Sequence, residues 1–156
     1  MTQREATGAG ASVMFGLTGF RLIKIGELAM SVAERALEPL GVTPRQLHVL
    51  GTLAADGSLS QQDVSRRLGI DPNVLVGVLD ELEHKGLAER RRNPADRRRH
   101  LIAVTPDGQA LLRDGFARLA AADSAFFAGV PAADLHVLRA VATHLLATHP
   151  APIKRR

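Results

Sequence analysis

The chain has 156 residues, 46% hydrophobic and 23% charged, with five Phe and no Cys, Trp or Tyr; it is long enough for one domain burying roughly 70% of its unfolded surface, and it lacks the thiols for disulfides, thiolate metal sites or Cys nucleophiles. Aromatic platforms for stacking single-stranded bases are nearly excluded, and no apolar run approaches the roughly 18 residues of a membrane span. The net charge is +4, and Lys85–Arg99 alone holds seven basic residues against Glu89 and Asp96, a net +5 on a body of −1; so concentrated a charge is the footprint of a polyanion partner or, on charge alone, a solvated run.

Residues 1–12 are small and polar, with no basic segment leading into an apolar one; they read as a disordered tail without a secretory signal, and the expected address is the cytoplasm. Phe15–Leu40 sets Leu17, Phe20, Ile25, Leu28, Val32 and Ala36 at helical spacing, one long helix that stops near Pro39 and Gly41. Thr43-Pro44 is an N-cap followed by Pro at the first helical position; the helix it opens carries Leu47, Leu50 and Leu53 and stops before Asp56-Gly57. Ser60 caps the next helix, with Asp63 as a weak capping box. That helix carries Val64 and Leu68 and ends at Gly69. Asp71-Pro72 opens a helix with Leu75, Val78, Leu79 and Leu82 on one face and a stop at Gly86.

The period then changes. Leu87–Arg91 and His100–Val104 read as two strands of a hairpin, joined through the turn residues Asn93–Asp96 with a basic tip. Thr105-Pro106 starts a helix from Asp107 to near Ala128, and Pro131 opens a last one with Leu135, Leu138, Val141 and Leu145. Two short helices joined at a Gly-containing turn and followed by a hairpin predict a winged helix-turn-helix. The fold class is mainly α with a small β-hairpin wing.

Leu82-Glu83-His84-Lys85-Gly86-Leu87-Ala88-Glu89-Arg90, then Asp96-Arg97-Arg98, then Val104-Thr105-Pro106-Asp107-Gly108 resemble the MarR family of bacterial transcription regulators. The family pattern is a leucine and a basic residue before Gly, an Arg closing the first wing strand, Asp-x-Arg at the wing tip, and Leu-Thr-x-x-Gly entering the next helix. The spacing matches without a gap, with Val104 in place of Leu. The motifs cover residues 60–110, and the flanking helices fit the layout.

The resemblance implies a homodimer: residues 13–42 and 107–150 form a helical dimerisation region, 43–106 the winged DNA-binding region, and 151–156 a basic tail. The pattern alone equally allows those apolar faces to pack within one chain. The partner implied is double-stranded DNA with a pseudo-palindromic operator. The helix from Asp71 to Lys85 would lie in the major groove, with Pro72, Asn73, Val74, Val76 and Gly77 near the bases. Asn73 can hydrogen-bond a base edge or simply start the helix. Many members have Thr-Arg where this chain has Val76-Gly77. Asp80, Glu81 and Glu83 add negative charge, which shifts affinity toward phosphates and DNA shape.

At the wing, the resemblance has Asp96 orient an Arg and Arg98 enter the minor groove, with Arg97 and Arg99 on phosphates or solvent. On spacing alone, Asp96 and Arg98 are an exposed pair worth under ~1 kcal/mol. Ser60, Gln61, Gln62 and Arg45 at helix starts, and Arg66 and Arg67 beside the turn, are phosphate candidates.

The resemblance also implies a small effector, an aromatic acid or phenolic, between the dimer helices and the winged region. Phe15, Arg21, Met30 and His48 are its candidate lining. Arg21 can grip a carboxylate, while Phe15 and Met30 also read as plain core. The six His show no ligand spacing, so neither metal nor cofactor is expected, and no nucleophile elbow points to an enzyme. The expected function is a sequence-specific DNA-binding regulator, a repressor released by its ligand. The alternative is a winged-helix protein–protein interaction module with weak, non-specific DNA binding, motivated by Val76-Gly77 and the acidic later turns.

Overall fold

A computed structural model of the chain describes residues 14–92 and 100–149. Helix α1 spans Thr18–Leu37 and runs into a 3-10 turn at Glu38–Leu40 that closes on Gly41 at φ 65°. Residues 14–16 are helical as the periodicity predicts, but a break at Leu17 separates them from α1. Leu17 is extended, between the poor helix formers Gly16 and Gly19. Helix α2 is Pro44–Asp56, α3 Gln61–Leu68 and α4 Pro72–His84. Strands β1 (Ala88–Arg92) and β2 (His100–Val104) form the wing, and α5 (Pro106–Phe126) and α6 (Ala132–Thr148) complete the chain.

Each predicted cap is made. Thr43, Ser60, Asp71 and Thr105 accept from Gln46, Asp63, Asn73 and Gly108 backbone N–H groups; each satisfies a donor that helix geometry orphans. The turn between α3 and α4 closes on Gly69 at φ 62°, and the buried Ser65 hydroxyl donates to the Ile70 carbonyl at 2.7 Å.

The core lies beneath the helix-turn-helix. Leu47, Leu50 and Leu53 of α2, Val64 of α3, Leu75, Leu79 and Leu82 of α4 and Ile102 of β2 are all buried in one cluster. The strands pair antiparallel from Ala88↔Val104 to Arg92↔His100. A third short partner, not foreseen in the sequence, is Leu59, which exchanges backbone hydrogen bonds with Ile102 at 3.1 and 2.7 Å. This pins an otherwise marginal two-stranded hairpin to the chain entering α3.

Helix α5 packs along α1 and reaches α2. Helix α6 buries no residue. Val137, Leu138, Val141, Leu145 and Leu146 stand exposed on it, Leu146 at 76%, as do Leu22, Ile23, Ile25 and Leu28 on α1. Within the described residues those faces are therefore not packed against each other, and the one-chain alternative fails. So many exposed large apolar side chains on two helices mark interaction faces.

The wing base tolerates no extra atom. A Cβ on Gly108 would fall 2.1 Å from the Leu87 carbonyl oxygen, which accepts from Thr105 N–H, and 2.7 Å from Val104 Cγ1. Gly77 in α4 faces open space. Gly108→Ala is therefore expected to destabilise by about 1–3 kcal/mol, and Gly77→Ala to stabilise by about 1 kcal/mol. Urea unfolding of the two variants beside the parent checks both signs.

Candidate nucleic-acid interface

The first turn of α4 presents Pro72, Asn73, Val74, Val76 and Gly77 on one exposed face, while Leu75, Leu79 and Leu82 bury the opposite one. Asp71, not Asn73, supplies the cap: its Oδ1 accepts from the Asn73 N–H at 2.8 Å. The Asn73 amide is thus not spent on starting the helix, and it points from the exposed side with two valines beside it.

The acidic later turns have partners. Arg90 of β1 bridges to Asp80 at 2.8 Å and to Glu83 at 2.6 Å. Glu81 accepts from the Gln46 side-chain amide of α2. The carboxylates read in the sequence as added negative charge tie the wing and α2 to α4. Arg91 pairs with Glu89 on its own strand, so part of the +5 segment is neutralised internally. Asp96, Arg97, Arg98 and Arg99 lie outside the described residues.

Ser60, Gln61 and Gln62 meet His100 around a hollow of about 200 Å³ at the start of α3. The Ser60 hydroxyl is committed to Asp63, whose backbone N–H it also accepts from. Arg66 pairs with Asp63, and Arg67 grips Asp56 through two bonds of 2.6 and 2.7 Å. Both guanidiniums are exposed, and a phosphate must compete with those carboxylates.

A second concavity opens between the C-terminal half of α1, the start of α2 and α4. It holds about 650 Å³. Its polar wall is Glu34, Arg45, Gln46, His48 and Glu81, with Met30, Leu68, Ile70 and Val78 as apolar lining. Of the four predicted ligand residues, Met30 and His48 line it. Phe15 and Arg21 do not: both are exposed near the α1 N-terminus, and Arg21 sits nine residues before Met30, roughly 13 Å along the axis. Phe15 is not core; it meets Phe20 edge to face at 5.0 Å between centroids. Arg45, expected on phosphate, stands on the cleft wall. Glu34, Gln46, Ile70, Val78 and Glu81 were missed. For Gln46 a signal was present, since Thr43-x-x-Gln46 has capping-box spacing and the box is formed.

The MarR family model matches residues 40–99. Among curated proteins, a transcriptional regulatory protein assigned to the hcr operon of Thauera aromatica is 37% identical over 103 residues, 64% of this chain and 61% of that one. The match thus spans less than two thirds of that relative. Among solved structures, a MarR-family transcriptional regulator from Rhodococcus sp. RHA1 is 35% identical, with 85% of this chain and 94% of that one covered at TM-score 0.71. CouR from Rhodococcus jostii RHA1, solved with p-coumaroyl-CoA, is 34% identical over 90% and 98% of the two chains at TM-score 0.72. The repressor CouR on a 23-mer DNA duplex gives 27% identity, 83% and 92% coverage and TM-score 0.78.

The Asp63 carboxyl at the start of α3 is held below its ordinary value, first by the Ser60 hydroxyl and also by the Arg66 charge, against a partial desolvation that raises it. A carboxyl with a lowered folded pKa stabilises the fold above its unfolded value, and that contribution is lost as pH falls through the folded one. The stability advantage of the parent over Ser60→Ala is therefore expected to narrow as pH drops below about 4. Unfolding midpoints measured between neutral pH and acid check it.

Proposed function

Because the chain belongs to the MarR family of transcription regulators, we propose that it binds a specific double-stranded DNA site as a homodimer and is released by a small molecule in the α1–α2–α4 cleft. The observation that carries this is the exposed first turn of α4. Its cap comes from Asp71, its leucines hold it to the core, and Asn73, Val74, Val76 and Gly77 are left outward. Such a surface fits a major groove, with one amide for a base edge and two valines for thymine methyls. The wing strand β1 docks on the same helix through Arg90, paired with Asp80 and Glu83. Asp96 and Arg98 keep the minor-groove role that the family motif gives them, and Gln61 and Gln62 backbone N–H groups at α3 suit a phosphate.

Dimerisation accounts for the apolar faces of α1 and α6: a second copy buries what this chain leaves in water. The cleft has the size of a small-molecule site and joins dimer helix to recognition helix, so a ligand that prefers one arrangement shifts the DNA-competent population. That CouR is solved with an aryl-CoA thioester supports an aryl acid or its thioester as the effector class. The role involves no turnover. It places the protein with the DNA in the cytoplasm, and no described helix is long and apolar enough to cross a membrane. The interaction-module alternative loses most of its motive, since Arg90 and Gln46 take up the acidic turns.

Fluorescence anisotropy of the duplex upstream of the protein's own gene tests the DNA role. Arg98→Ala is expected to lower operator affinity about tenfold and the salt slope by about 1. Equal, weak binding to every duplex would return the interaction module. For the effector, p-coumaroyl-CoA and p-coumarate serve as probes. Release by either is expected to disappear in Met30→Trp, which fills the cleft from α1, while DNA affinity stays within about twofold.

A further inference from the structure

One buried polar side chain connects the three elements that meet at the cleft. Gln46 is only 2% exposed. Its Oε1 accepts from the Thr43 N–H at 3.1 Å and from Lys85 Nζ at 3.2 Å, and its Nε2 donates to the Glu81 carboxylate. Lys85 Nζ also donates to the Gly41 carbonyl at 2.7 Å, on the left-handed residue that ends the turn after α1. Closing the α2 capping box requires only Thr43 and Gln46. Glu81 and Lys85, both from the last turn of α4 and its cap, are surplus to that purpose.

We infer that Gln46, Glu81 and Lys85 form a latch that sets the angle of α4 against the α1–α2 junction, with Gln46 and Glu81 as positioning residues for DNA recognition. This rests on the DNA-binding role proposed above. The latch holds the C-terminal end of α4, and the outward residues Asn73, Val74, Val76 and Gly77 lie at the other. A 13-residue helix is about 20 Å long, so a tilt of about 10° at the latch moves the first turn by roughly 3 Å. That is enough to break base contacts while leaving the leucine face packed. Hydrogen bonds to a carboxylate and an ammonium are directional and strong for their kind, whereas leucine packing tolerates small rotations. Gln46 and Glu81 also form part of the cleft wall, so a bound molecule whose hydroxyl or N–H donates to the Glu81 carboxylate in place of the Gln46 amide opens the latch.

Glu81 is exposed, and replacing it does not threaten the core. Glu81→Met is expected to lose about tenfold in operator affinity, the scale of one charge-assisted hydrogen bond, with affinity for an unrelated duplex unchanged. Glu81→Gln keeps an acceptor for the Gln46 amide and is expected to restore operator affinity. Gln46→Met is expected to resemble Glu81→Met, and the double variant to be no worse than either. A spin label at Asn73→Cys, unique in a chain without cysteine, reads the distance between the two recognition helices of the dimer without DNA. Its distribution should broaden or shift in Glu81→Met and return in Glu81→Gln. An unchanged distribution in Glu81→Met overturns the latch whatever the DNA result. A parent with no operator preference, but a distribution that responds in this way, faults the DNA role and leaves the latch standing.

Discussion

Helix α4 must be held on one side and offered on the other, and the burial of Leu75, Leu79 and Leu82 meets that demand. All three are fully buried, worth about 1.5–3 kcal/mol each relative to exposure, and their i, i+4 and i+7 spacing leaves one stripe for solvent. Every polar device nearby serves the same helix. Asp71 starts it, Gly69 and Ser65 set its angle to α3, Arg90 joins the wing to its flank, and Gln46 and Lys85 hold its end. The hydrophobic face gives the affinity between elements and the polar contacts give the register. This division follows from directionality, since apolar burial scales with area and hydrogen bonds with geometry.

The parts of this arrangement that were legible in the sequence are those whose cause is local. A cap is decided within four residues, so Thr43, Ser60, Asp71 and Thr105 each announced a helix that forms. The wing strands changed period at Leu87 and returned at His100, and they pair in register. What was not legible joins distant residues: Leu59 with Ile102, Arg90 with Asp80 and Glu83, and Gln46 with Glu81 and Lys85. Composition registers those charges but not their partners, which is why the acids of α4 read only as added negative charge. That Met30 and His48 line the cleft while Phe15 and Arg21 do not has a related reason. Periodicity tells which face of α1 is apolar but not where along its 20 residues the winged region abuts, and the abutment falls at Met30 and Glu34 rather than at Phe15 and Arg21.

The pairing of charges alters the electrostatic picture drawn from the sequence. A net +5 over Lys85–Arg99 suggests a diffuse attraction to any polyanion. With Arg90 held by two carboxylates and Arg91 by Glu89, that attraction weakens along β1. Exposed pairs of this kind contribute little stability. Their effect is orientation: Arg90 fixes strand β1 against α4, the helix proposed to meet the bases. Wing and recognition helix then act as one body, so phosphate contacts made by one set the register of base contacts made by the other.

Helix α1 connects this body to the rest of the molecule. Its N-terminal half carries Leu22, Ile23, Ile25 and Leu28 into the unpartnered apolar face, its C-terminal half walls the cleft with Met30 and Glu34, and its end runs through the 3-10 turn to Gly41. The carbonyl that Lys85 grips is therefore continuous with the helix a second copy would pack against. Displacing α1 moves Gly41, and Gly41 is tied to the end of α4 by a single ammonium. The cleft wall reaches the same cluster through Gln46 and Glu81. On the proposed roles, transmission needs no long chain of contacts, because the cleft wall, the end of α1 and the end of α4 meet within one hydrogen-bonded cluster. A two-state element of that size is what a few kcal/mol of differential binding can shift.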